Sequence, residues 1–150
     1  MKRIIVTGSS GKLGKEIVRL LRTNNYEVLG IDLLKGKTTD ELIDVRDYNV
    51  IKEVTQGIDA IIHTAALHGK HTDLNYSRDK SIDTNIIGTN NLLSSSIENG
   101  VNKFLYTSTT SIYGTAMVND KQAVWVDEEL TPEPRDIYDC LLYTSDAADE

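Results

Sequence analysis

Short apolar runs alternate along this chain with segments whose apolar residues recur at helical spacing. The runs predict strands at residues 3–7, 27–32, 60–66 and 103–108, and a short third strand within 41–47 that runs into a helix. The amphipathic segments predict helices at residues 12–24 and 81–98, and a further helix between an N-cap at Asp47 and a stop at Gly57. Strands that alternate with helices predict right-handed βαβ units and therefore an α/β fold with one parallel sheet.

The predicted helix over 81–98 is the longest, and its apolar residues suggest which face packs inward. We expect this face to be an aliphatic stripe formed by Ile82, Ile86, Leu93 and Ile97. Asn99 and Gly100 follow directly and end the helix.

The first predicted strand runs into a glycine-rich turn, VTGSSGKLG at residues 6–14, which opens the first helix. Gly8 permits the tight turn, Gly11 lets the backbone approach a phosphate, and Gly14 lets the helix lie close to the strand. The N–H groups at the helix N-terminus favour an anion. The glycine spacing is GxxGxxG rather than the commoner GxGxxG. The alternative is a glycine-rich turn without a ligand, but the strand and helix on either side favour a pyrophosphate site.

The second predicted strand ends at Asp32. This is the distance beyond the glycine turn at which a carboxylate accepts hydrogen bonds from an adenosine ribose. A carboxylate there repels a 2′-phosphate, so the sequence predicts NAD rather than NADP, although Lys35 and Lys37 nearby would weaken that preference. The alternative interpretation is a solvated aspartate at a strand end.

Several candidate groups are predicted to meet at one edge of the sheet. Ligands of parallel sheets bind beyond the carboxyl ends of the strands. The glycine turn, Asp32, Asp44, the pair Ala65-Ala66 and the hydroxyl-rich run 107–111 all fall there. Their convergence predicts a binding site for a nucleotide and a small-molecule substrate.

Composition narrows the class of protein. The net charge of −7 argues against nucleic-acid and anionic-membrane partners, and no apolar run is long enough to span a bilayer. The single cysteine, Cys140, and the absence of a signal-peptide pattern predict a reducing, cytoplasmic location. His63, His68 and His71 lie close together in sequence, but no cysteine is near, and we expect no metal site.

Together these segments resemble the extended short-chain dehydrogenase/reductase family, in its NAD-dependent epimerase/dehydratase branch. The motifs follow the family's order across residues 1–139: TGSSGKLG at 7–14, Asp32, DVRD at 44–47, IIHTAA at 61–66, NIIGTNNLL at 85–93 and FLYTSTTSIYG at 104–114. The resemblance implies a Rossmann-type doubly wound parallel sheet, here truncated after the fifth strand. It also implies NAD as cofactor and an oxidoreductase that acts on a sugar-nucleotide-like substrate.

The resemblance implies a set of cofactor-binding residues that runs from the glycine turn to the predicted helix over 81–98: Gly8, Ser10, Gly11, Lys12, Leu13, Gly14, Asp32, Asp44, Val45, Ala65, Ala66 and Asn85. Within this set, Asp44 and Val45 would flank the adenine. Ala65 and Ala66 would line the wall near the nicotinamide ribose, and Asn85 would support the site.

The resemblance also implies two catalytic residues, Thr109 and Tyr138. Thr109 would hydrogen-bond the reacting hydroxyl or carbonyl, and Tyr138 would take a proton from the substrate hydroxyl. A free tyrosine has a pKa of about 10, so only about one in a thousand is ionised at neutral pH. The family lowers this pKa with a lysine four residues on, where this chain has Leu142. The residues therefore favour either an enzyme that is inactive as this fragment or a non-catalytic NAD-binding module that recruits a partner.

Residues 140–150 do not continue the family pattern. They resemble the translation of a transposase adapter used in sequencing libraries. We therefore expect an incomplete NAD-binding domain at 1–139 and a non-native tail at 140–150. The lysine, the last strands and a substrate domain would then belong to a longer protein, for which the resemblance alone implies a homodimer. Without them the fifth strand would be a bare edge and an aggregation hazard.

Overall fold

The computed structural model describes residues 2–68, 77–118 and 123–146. Its strands are β1 (Arg3–Thr7), β2 (Glu27–Asp32), β3 (Glu41–Leu42), β4 (Ala60–His63) and β5 (Lys103–Tyr106). They form a sheet in the order β3-β2-β1-β4-β5, and every neighbouring pair is parallel. The predicted parallel α/β sheet is confirmed.

The helices follow the predicted alternation. They are α1 (Lys12–Thr23), α2 (Tyr48–Val54), α3 (Arg78–Ile82), α4 (Gly88–Asn99) and α5 (Ile137–Asp146). A π-helical segment, Asp83–Ile87, joins α3 to α4, and a 3-10 helix covers Thr110–Met117. The predicted N-cap of α2 is confirmed, because the Asp47 carboxylate accepts a hydrogen bond from the Val50 N–H at 3.3 Å.

Both faces of the sheet are covered. Successive side chains of β1 point to opposite sides, so this strand contributes apolar residues to a cluster on each face. Ile4 and Val6 pack against Val18 of α1 on one face. Ile5 packs on the other face, with Ile51 of α2 and Leu92 of α4 in the same cluster. This two-sided core gives β1 its central place and puts the glycine turn at the middle of the sheet's carboxyl edge.

Two predicted strands are too long. β4 stops at His63 rather than 66, and β5 at Tyr106 rather than 108, whereas β3 covers the first two residues of the segment 41–47, which is predicted to run from a short strand into a helix. In β4 the cause is visible: the N–H groups of Thr64 and Ala65 donate to the Thr7 hydroxyl, at 3.2 and 3.1 Å, instead of continuing the ladder. The backbone beyond β4 therefore turns across the end of β1.

Helix α5 crosses residue 139, where we place the end of the domain. Leu141 and Leu142 are buried in one cluster with Ile112 of the 3-10 helix. At the sheet edge, β5 pairs with β4 within the described residues, and Leu105 is 59% exposed. The domain boundary and the aggregation hazard stay predictions.

Candidate cofactor-binding site

The turn between β1 and α1 has the geometry of an anion cradle. Gly8 adopts a φ of +68°, and its carbonyl accepts the Gly11 N–H at 2.9 Å. A Cβ on Gly14 would lie 2.2 Å from the Gly8 carbonyl oxygen, so only glycine permits this approach. Gly11 is the N-cap of α1 and offers no side chain to its first N–H groups. These groups remain available to a phosphate, which fits the pyrophosphate of a dinucleotide.

Asp32, at the end of β2, is fixed against this turn. Its Oδ2 accepts hydrogen bonds from the Ser10 N–H at 2.9 Å and the Ser10 hydroxyl at 2.7 Å. Its Oδ1 accepts the Leu34 N–H at 2.9 Å. The carboxylate thus stands beside the cradle, where a ribose hydroxyl would reach it. Lys35 is engaged elsewhere, donating to the Thr39 carbonyl at 3.1 Å.

A cavity of about 550 Å³, open to solvent, lies at the surface next to Asp44. It is lined by Asp44, Arg46, Asp47, Tyr48, Asp83 and Ile87. The Arg46 guanidinium donates to Asp44 from Nε at 2.9 Å and from a terminal nitrogen at 2.5 Å. This hydrogen bonding holds the pKa of Asp44 below its usual value. Val45 is buried beneath Gly88, where a Cβ would meet its side chain at 2.6 Å. The cavity has room for an adenine next to Asp44.

The segment after β4 forms the wall of the site on the opposite side of β1. Asn85, in the π-helical segment, is almost fully buried and clamps Leu67. Its Oδ1 accepts the Leu67 N–H at 2.8 Å, and its Nδ2 donates to the Leu67 carbonyl at 2.9 Å. Ala65 and Ala66 lie between this clamp and the Thr7 hydroxyl. Their small side chains leave the backbone open to a close approach.

Sequence reasoning missed one buried group next to this wall, the imidazole of His63. Its Nδ1 lies 2.6 Å from the Thr7 hydroxyl, and its Nε2 lies 3.0 Å from the Thr89 hydroxyl. Burial lowers the pKa of His63 to about 4, so the ring is neutral at physiological pH. Its position at a strand end and its neighbours in sequence gave no signal of these partners.

The predicted catalytic residues lie on two segments that pack together. The Thr109 hydroxyl accepts the Ser111 N–H at 3.2 Å and caps the 3-10 helix. Tyr138 on α5 is half-buried, and its ring centroid lies 6.0 Å from that of His68. Burial raises the pKa of Tyr138, and Asp139 and Asp136 raise it further. The roles of both residues stay predictions.

Leu142 takes the place where the resemblance implies a lysine. Its side chain is 1% exposed and packs in the cluster of Ile112 and Leu141. It brings no positive charge to Tyr138, so nothing at this position offsets the raised pKa.

No group of three histidine, cysteine, aspartate or glutamate side chains in the part of the chain that the structure describes could hold a metal ion, and His71 lies outside the described residues. Among the helices of residues 2–68, 77–118 and 123–146, none has the length and apolar character to cross a membrane.

Comparison with known proteins identifies relatives in sequence and in fold. A 3-beta-hydroxysteroid dehydrogenase of Mycolicibacterium neoaurum is 32% identical over 133 residues, 81% of this chain and 36% of that protein. A short-chain dehydrogenase/reductase superfamily protein from Agrobacterium tumefaciens, solved with bound NAD, matches with a TM-score of 0.84 at 26% identity, over 97% of this chain and 43% of that one.

A UDP-glucose 4-epimerase from Thermotoga maritima, solved with UDP-glucose, also has a TM-score of 0.84, at 25% identity over 97% of this chain and 49% of that one. The chain thus spans less than half the length of each of these proteins. The family model for NAD dependent epimerase/dehydratase matches residues 4–144. The chain therefore belongs to the NAD-dependent epimerase/dehydratase family.

Proposed function

We propose that this chain is the NAD-binding part of an epimerase/dehydratase-type oxidoreductase. The observation that carries the proposal is the junction of the glycine turn with Asp32. The uncapped N-terminus of α1 suits a pyrophosphate, and the carboxylate that Ser10 fixes beside it suits a ribose. A titration with NADH, in which nicotinamide fluorescence reports binding, tests the proposal directly. A chain that folds and shows no saturable NADH binding would contradict the proposal.

The remaining contacts are assigned along the same edge of the sheet. The adenine would occupy the cavity beside Asp44, with Val45 behind it. The nicotinamide half would lie against Ala65 and Ala66, which Asn85 supports through Leu67. When bound, NAD supplies a hydride acceptor, and the protein supplies orientation and proton transfer.

The substrate class that we propose is a nucleotide sugar, because the structural relative from Thermotoga maritima was solved with UDP-glucose. A second candidate is a 3β-hydroxysteroid, which the sequence relative from Mycolicibacterium neoaurum favours. Thr109 would orient the reacting oxygen of either substrate, and Tyr138 would exchange its proton. The two classes are distinguished by offering UDP-glucose and a 3β-hydroxysteroid separately to the longer protein, with NAD, and analysing the products by chromatography. Oxidation of the steroid would also release NADH, whereas epimerisation or dehydration of the nucleotide sugar returns the hydride and leaves no net NADH.

We further propose that the 150-residue chain binds NAD without turnover. The pKa of Tyr138 is raised rather than lowered, and Leu142 places no cation near it. Binding without turnover also suits the alternative of a non-catalytic module that senses NAD and recruits a partner. Turnover by this chain would exclude that alternative.

The first prediction concerns Asp32. Asp32→Asn should weaken NADH binding about ten-fold. The asparagine amide has one acceptor oxygen where the carboxylate has two, and a charged hydrogen bond contributes about 1.5 kcal/mol. Losing the negative charge should also narrow the preference for NADH over NADPH. Parallel fluorescence titrations with the two nucleotides measure both effects.

Asp40→Asn provides the matched control for Asp32. The Asp40 carboxylate accepts the Gly30 N–H at 2.7 Å and pairs with Arg22, so it stabilises β2 without belonging to the proposed site. We expect Asp40→Asn to leave the ratio of NADH to NADPH affinity unchanged. Tighter binding of NADPH than NADH by the unsubstituted chain would overturn the assignment of Asp32.

The second prediction concerns Leu142. Leu142→Lys places an ammonium one helical turn from Tyr138 on α5 and should lower the pKa of Tyr138. Ultraviolet titration of tyrosine ionisation, with the curve of Tyr138→Phe subtracted, isolates this phenol. Leu142→Met keeps the packing volume without the charge and should leave the titration unchanged. An unaltered Tyr138 titration in Leu142→Lys would refute the proposed coupling.

A further inference from the structure

A buried chain of hydrogen bonds crosses the site beneath the wall segment, residues 64–67. His63 stands at its centre, 1% exposed, between the hydroxyls of Thr7 on β1 and Thr89 on α4. The rings of Phe104 and Tyr106 cover it, with centroids at 6.2 and 5.8 Å. The imidazole therefore meets two hydroxyl partners inside an otherwise apolar and aromatic enclosure.

The donor in each bond of this hydrogen-bond chain follows from the number of protons that each hydroxyl and the imidazole carry. The Thr89 hydroxyl donates its proton to the Asn85 carbonyl at 2.7 Å, so it can only accept from His63 Nε2. His63 therefore carries its proton on Nε2, and Nδ1 accepts from the Thr7 hydroxyl. The Thr7 oxygen still accepts the N–H groups of Thr64 and Ala65.

Each end of this hydrogen-bond chain is bonded to one end of the wall segment. At the Thr7 end, the bonds to the backbone of Thr64 and Ala65 are joined by a return bond from the Thr64 hydroxyl to the Thr7 carbonyl at 2.7 Å. At the Thr89 end, the hydroxyl engages the backbone of Asn85, whose side chain clamps Leu67. The wall is thus anchored to β1 and to the π-helical segment, and His63 connects the two anchors.

We propose that His63 is a positioning residue: through Thr7 and Thr89 it sets the distance between the wall segment and Gly8, and thereby the fit of the nicotinamide half of the dinucleotide. The inference rests on the proposed NAD site. It assigns no contact between His63 and the cofactor. The glycine turn and Asp32, which would hold the adenosine and phosphate half, are fixed by other bonds.

The test compares two ligands that share the adenosine half, NADH and ADP. Thr89→Val deletes the hydroxyl at constant shape, and Thr89→Ser keeps it. We expect Thr89→Val to weaken NADH binding about ten-fold while the ADP affinity stays within two-fold (roughly 0.4 kcal/mol), and Thr89→Ser to restore NADH binding. Calorimetric titration measures both affinities, and a thermal melt verifies the fold.

Several outcomes would overturn the inference. These are equal losses of NADH and ADP affinity in Thr89→Val, no loss of either, or failure of Thr89→Ser to restore binding. If Thr89→Val does not fold, the ¹⁵N spectrum of the histidines in the unsubstituted protein provides the test. The inference requires the Nε2–H form of His63, so an Nδ1–H form would overturn it. Failure of the unsubstituted chain to bind both NADH and ADP would instead refute the proposed NAD site.

Discussion

Gly14→Ala should reduce NADH affinity by at least about 100-fold, or roughly 2.7 kcal/mol of binding free energy. The added Cβ would lie 2.2 Å from the Gly8 carbonyl oxygen and 3.0 Å from the Thr64 hydroxyl. Both neighbours belong to the site, so relief requires α1 to move away from the turn. That movement displaces the N–H groups that would bind the pyrophosphate. NADH titration and a urea unfolding curve of the same sample measure binding and stability together.

Gly100→Ala is the control that separates a local clash from a general cost of replacing glycine. Gly100 caps α4 with a φ of +68°, and a Cβ there would meet nothing within 4 Å. We expect it to lower the free energy of unfolding by about 1 kcal/mol and to leave NADH affinity unchanged. A Gly14→Ala chain that binds NADH within three-fold of the original (roughly 0.7 kcal/mol) would refute the role assigned to Gly14.

The contrast between these two glycines shows which parts of the site are readable from sequence. The turn at Gly8, Gly11 and Gly14 and the carboxylate of Asp32 depend on spacing within one βαβ unit, and their predicted positions along the sheet edge are observed. The end of β4 was predicted wrongly, because the Thr7 hydroxyl that diverts Thr64 is 57 residues away in sequence. No local pattern reports such a partner.

The helix after the wall segment shows a second limit. The predicted inward stripe ends at Ile97, yet this side chain is 83% exposed. The buried face instead carries Asn85, Thr89 and Asn91, and each has a hydrogen-bond partner. Hydrophobic periodicity detects apolar faces and cannot detect a buried face of satisfied polar groups. The same limitation concealed the partners of His63, because the sequence shows only a histidine inside an apolar run.

Acid should destabilise the chain through His63, by about 3 kcal/mol in the free energy of unfolding. The pKa of His63 is about 4 in the folded chain, against an ordinary value of 6.5. Between these values the unfolded chain binds the extra proton and the folded chain does not. Stability from this group is therefore fully present above pH 6.5, falls as the pH drops toward 4, and falls no further below it. Urea unfolding at a series of pH values measures the slope.

The slope must be assigned to His63 by difference, since carboxylates also titrate in acid. Asp44 does not interfere, because Arg46 holds its pKa below the ordinary value and its contribution is lost only at more acidic pH. His63→Gln retains a donor toward Thr89 but does not titrate. This variant should be less stable at neutral pH and should lose the component of the slope between pH 6.5 and 4. If the free energy of unfolding changed equally with pH in the unsubstituted protein and in His63→Gln, the His63 ring would be accepting its proton without breaking its hydrogen bonds to Thr7 and Thr89. Because Nδ1 accepts from Thr7 and Nε2 donates to Thr89, a second ring proton has no acceptor in the folded arrangement, and we expect unequal slopes.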